Sequence, residues 1–106
     1  MADTCKRLVG PKQLANSATT EYTVPSATTT TVRLIHFSNP TSGQLTITLS
    51  IGADAAGTRI FDAYPIAAGA VFAYPCHFTL TATEILQMSA SAATSVVVCI
   101  DGIETT

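Results

Sequence analysis

The chain has 106 residues, 47% of them hydrophobic and only 11% charged, with a formal net charge of −2. That length fits one domain able to bury a core without metals or disulfides. Five cations leave no electrostatic footprint for nucleic acid, and no apolar run approaches the length of a membrane span.

Residues 1–12 carry Lys6, Arg7, Pro11 and Lys12 and few apolar anchors. They read as an N-terminal arm ahead of a β-sandwich domain over 13–106, an arm ordered by contact with another subunit. Cations open the chain but no apolar run follows them, so the start does not read as a secretory signal, and assembly in cytoplasm is expected. PKQLANS reads as a short polar lead-in strand.

TEYTV follows and stops at Pro25. The run Thr28, Thr29, Thr30, Thr31 and Val32 then leads into TTTVRLIHFS, which ends at the turn NPTSG. A threonine run of this kind suits an edge, a crossover or an exposed sheet face. The chain has no lysine after Lys12 to guard such a segment. Thr28 to Val32, together with Lys6, Arg7 and Lys12, is therefore the candidate subunit contact.

QLTITLSIG is the clearest strand: Leu45, Ile47, Leu49 and Ile51 alternate with Thr46, Thr48 and Ser50, as in a half-buried antiparallel strand. TRIFDAYPI is a strand whose Pro65 places its end at an edge or turn. VFAYPCHFTL and ILQMSAS follow, although the alanines and Glu84 around the latter also suit a helix. SVVVCIDGIE has Val96, Val98 and Ile100 on one face and Val97 and Cys99 on the other, which predicts a central strand. About eight strands at this spacing predict an all-β, antiparallel, jelly-roll-like sandwich.

No constellation of catalytic residues emerges, so no enzyme and no cofactor is expected. Two histidines, His36 and His77, cannot close a zinc site alone, and Cys76 and His77, adjacent in a strand, point to opposite faces. His36 alternates with Val32 and Leu34 and reads as a satisfied, partly buried histidine. Asp101 and Glu104 read as a solvated strand end. Cys5, Cys76 and Cys99 have no paired-cysteine spacing and read as free thiols, Cys76 and Cys99 buried in their apolar strands. Tyr64 and Tyr74, each just before a proline, are either rim packing or stacking platforms for a sugar.

Taken in order, the words EYTVP, Thr28 to Asn39, Gln44 to Gly52, PIAAGA and Val96 to Gly102 resemble small virion proteins of tailed bacteriophages. The match runs through most of the chain, but TATE stands where such proteins often have Gly-Asp. The resemblance implies a non-enzymatic virion component: a capsid decoration (cement) or minor capsid protein, with the major capsid protein as partner. Tail proteins are the alternative partner, in a neck or tail module that binds a host-surface glycan. A homo-oligomer follows from the low charge and the unguarded threonine run, and the resemblance to cement proteins on threefold axes implies a trimer. Neither nucleic acid nor membrane is expected as a partner.

Overall fold

A computed structural model describes residues 3–93 and 95–106. It contains β1 (Asp3–Gln13), β2 (Thr19–Thr23), β3 (Thr29–Ser38), β4 (Leu45–Ile51), β5 (Arg59–Ile66), β6 (Val71–Leu80), β7 (Ile85–Ala90) and β8 (Val97–Thr105). A single 3-10 turn over Ala56–Thr58 joins the β4–β5 hairpin. The alternation in each segment explains the burial. In β4 the side chains of Ile47 and Leu49 are buried while Thr46 and Thr48 stay half-exposed. The segment at 85–90, ambiguous in sequence, is a strand with Leu86, Met88 and Ala90 buried.

Two antiparallel four-stranded sheets face each other. The first has strand order β1-β8-β3-β6 and the second β2-β7-β4-β5. Apart from the β4–β5 hairpin, the chain changes sheet at every connection, which is jelly-roll connectivity. Between the sheets lie Val32, Ile35, Phe37 and Ile100 from the first and Ile47, Leu49, Leu86 and Met88 from the second. As its two apolar faces predicted, β8 is central, and Pro65 lies on the edge strand β5.

Three expectations are corrected. Residues 3–12 of the expected arm, the other two lying outside the described residues, are no separate arm, because Asp3–Gln13 forms β1 and pairs along β8 from Asp3↔Thr105 to Gln13↔Val97. Val9 enters the core there, and backbone pairing compensates for the scarcity of other anchors. Secondly, the threonine run is no edge. Thr29, Thr30 and Thr31 open β3, which is bonded to β8 on one side and to β6 on the other. Thirdly, a register shift between Val32 and Leu34 leaves Arg33 as an extra residue against β8. Val32 and Ile35 therefore both face the core, while Leu34 and His36 turn to the outside.

Candidate assembly surfaces

Along one flank β1 of the first sheet faces β2 of the second, and polar groups close the gap. Lys12 Nζ lies 2.6 Å from Glu21 Oε1. The Glu21 side chain is only 2% exposed, and this oxygen makes no aligned hydrogen bond, so the ammonium compensates it chiefly through charge. Glu21 is the extra residue of β2, falling at the register shift between Thr20 and Tyr22. Further along, Tyr22 donates to Glu104, which leaves the Thr30 hydroxyl to donate to the phenol oxygen at 2.8 Å. Lys6 Nζ reaches the other oxygen of Glu104 at 3.2 Å. Burial, then the Glu104 carboxylate, pushes the Tyr22 phenol up to about 12. The Tyr22 hydrogen bond, helped by Lys6, holds the Glu104 carboxyl below its ordinary range.

Sequence reasoning missed this cluster. Glu104 is not part of a solvated strand end: its side chain is 14% exposed and turned between the sheets, while Asp101 is exposed on the outside. Strand parity carried the signal, since Glu104 lies an even number of residues from the buried Val98 and Ile100.

Aromatic rings close the opposite flank, where β5 faces β6. Phe61 of β5 meets Tyr74 edge-on at 4.8 Å, Phe72 at 5.8 Å and the buried Phe37 at 6.3 Å. Tyr64 stacks on Phe72 at 4.8 Å, and Phe78 extends the row beyond Tyr74. The structure thus brings the two candidate stacking residues, Tyr64 and Tyr74, into one cluster, with a ring neighbour on each. Cys76 lies in the same inward row of β6, half-buried, with its thiol 3.6 Å from the Val32 carbonyl, and burial pushes that thiol up. Cys5, Cys76 and Cys99 are all free.

All four free edges are guarded. β1 bears Lys6, Arg7 and Lys12 and two register shifts, and β2 is five residues long with one. β5 combines Arg59, Asp62 and Pro65 with two shifts. β6 has no Asp, Glu, Lys or Arg but carries Pro75. The Asn39 N–H donates to the Ala70 carbonyl at 2.9 Å, and counting alternately from that pair turns the ring nitrogen of Pro75 to the open side.

The outer faces differ, although the second sheet also exposes Ile60 of β5 and turns Ile85 of β7 outward. On the second sheet Thr20, Thr46, Thr48, Gln87 and Ser89 present hydroxyls and an amide. Gln87 donates to Thr20 at 3.0 Å, and Asp54 accepts from Ser50 at 2.6 Å and from Arg59 at 3.0 and 3.1 Å. The guanidinium holds the Asp54 carboxyl down at about 2. On the first sheet the outward residues in register are Cys5 and Ile103, then Arg7, Asp101, Leu34 and Pro75. Cys99, His36 and Ala73 form the next row, then Val97, Ser38 and Val71, of which Val71 is 61% exposed. Cys5, Arg33, Asp101 and Ile103 share a shallow depression of about 420 Å³. Of the sequence candidates, Lys6 and Lys12 belong to the polar flank, Arg7 to this outer face, and Thr30 and Val32 to the interior. Thr29 is exposed, Thr31 half-buried, and Thr28 buried in the turn before β3.

No family model matches the chain, and no curated protein does. Among solved structures, the chain is similar over 97% of its length to a chain in the structure of infectious bursal disease virus, Gx strain, at 12% identity and a TM-score of 0.57. It spans only 31% of that chain. It is also similar over 99% of its length, and over 85% of the other chain, to a protein of the Bacillus endospore appendages, described as disulfide-linked pili, at 17% identity and a TM-score of 0.50. At these identities what is shared is the fold, an antiparallel β-sandwich.

Proposed function

We propose that the chain is a non-enzymatic structural subunit of a tailed-phage particle, and within that class a capsid decoration or minor capsid protein. The observation that carries the reading is the outer face of the first sheet. A sandwich with one hydroxyl-covered face and one face bearing Leu34, Val71, Val97 and Ile103 is built to lean on a neighbour. The low charge of the chain, 11%, supports the same reading. Support also comes from the virus structure and the pilus that share its fold, since each is an assembly. The resemblance of its sequence words to phage virion proteins supplies the finer assignment, including the capsid as partner and the threefold arrangement. A tail or neck module is the alternative placement.

Quantitative mass spectrometry of purified particles tests this. A decoration protein occurs in copies comparable to the major capsid protein, and a tail or neck module in far fewer. Absence of the chain from purified particles would overturn the reading.

A further inference from the structure

We infer that the outer face of the first sheet docks a second copy of this chain face to face, with Arg33 of each copy against Asp101 of the other. The inference rests on the reading of the chain as an assembly subunit, and replaces the threefold arrangement implied by the resemblance with a two-fold contact.

Charge is what identifies the occupant. Each lysine and Arg59 already has an acidic partner within the chain: Lys6 has Glu104, Lys12 has Glu21, and Arg59 has Asp54 and Asp62. Among the described residues, Arg7 and Arg33 are the cations with no ion pair. Both lie at the same level of the first sheet as Asp101, which also has no ion pair. Arg33 and Asp101 line one depression yet do not close on each other within the chain. Arg33 follows the buried Val32 and points outward by strand alternation, and the register shift at this point keeps Leu34 outward beside it.

A face that carries unpaired charges of both signs, set among Leu34, Val97 and Ile103, is complementary to itself. Two copies of one face meet about a two-fold axis, so a single Arg33–Asp101 contact is necessarily repeated. The aliphatic side chains then come out of water on both partners at once. Edge pairing is the competing route to self-association, and the guards on all four edges, Pro75 included, work against it.

The test uses the full-length chain in a charge-exchange mixing experiment. Sedimentation velocity over a concentration series of wild-type protein is expected to show a monomer–dimer equilibrium. Arg33→Asp and Asp101→Arg, each alone, place like charges across the contact and should raise the dissociation constant at least about tenfold. An equimolar mixture of the two variants restores both opposite-charge contacts and should dimerise again. Thr48→Lys, on the outer face of the second sheet, should dimerise like wild type.

Both charge positions are exposed, and circular dichroism verifies that each variant folds. The inference is overturned if wild type is monomeric at millimolar concentration, which would leave the face to a different partner. It is equally overturned if the single variants dimerise like wild type, if the mixture does not recover, or if Thr48→Lys is the change that dissociates the dimer. A monomeric chain that is nonetheless abundant in particles sinks this inference alone. A dimer absent from particles sinks the functional reading alone.

Discussion

The Lys12–Glu21 ion pair and the hydrogen bond from the half-buried Tyr22 to Glu104 close the sandwich along β1 and β2, whereas six aromatic rings close it along β5 and β6. Both flanks join the same two sheets, but they depend on different conditions. Ring contacts add about 0.5–1.5 kcal/mol per pair beyond area burial and respond little to pH or salt. The polar flank depends on the ionisation of Glu104, and it secures a strand in which Val9 is the one buried side chain. The comparison teaches that β1, though fully paired to β8, is the strand whose attachment to the second sheet is conditional.

The largest effect is expected on the aromatic side. Phe61 touches Phe37, Tyr64, Phe72 and Tyr74, so Phe61→Ala removes the hub of the cluster. A loss of about 2–4 kcal/mol in urea unfolding is expected, somewhat below the range for a fully buried Phe because Phe61 is half-buried. Its pH dependence should match wild type. A loss under about 1 kcal/mol would make the rings surface decoration and erase the contrast between the flanks.

Tyr22→Phe tests the polar side, with an expected loss of about 1 kcal/mol near neutral pH. The sign of its pH dependence is fixed by the two groups it uncouples. Glu104 has a lowered folded pKa, so its contribution is present above the ordinary glutamate value of about 4.3 and disappears as pH falls through the lower folded value. Tyr22 is raised from 10.0 to about 12, so its contribution is full below pH 10 and lost as pH rises towards 12. Wild type should therefore lose stability at both extremes more steeply than Tyr22→Phe. Parallel stability profiles for the two proteins would show that the phenol does not couple the sheets.

The sequence made the strands legible where two-residue alternation ran unbroken, as from Leu45 to Ile51 or Val96 to Ile100, because burial of one face leaves that period and no other. It failed where an extra residue breaks the period. Arg33 shifted Leu34 and His36 to the outer face, and Glu21 turned inward at a shift in β2. The start of the chain misled for a different reason: β1 is held by backbone bonds and the Lys6–Glu104 ion pair to residues near the other end of the chain, which no local pattern encodes. The threonine run is central, and the long edge without Asp, Glu, Lys or Arg is β6, where Pro75 does the guarding. The contrast between hydroxyl-covered and aliphatic outer faces emerges only once strand order puts Cys99, His36 and Ala73 in one row.

The central claim is that the chain is an assembly subunit that leans on its neighbours through the first sheet. Alkylation rates read by peptide mass spectrometry test it most directly, in the free chain at a concentration that keeps it monomeric and in the isolated particle. Cys5 reports on the outer face of the first sheet, and a thiol introduced as Thr48→Cys reports on that of the second. The account predicts that assembly slows Cys5 by about tenfold or more, as water and reagent leave a packed contact, and leaves the Thr48→Cys thiol unchanged. Cys5 reacting as fast in the particle as in the free chain, or protection confined to position 48, would contradict it.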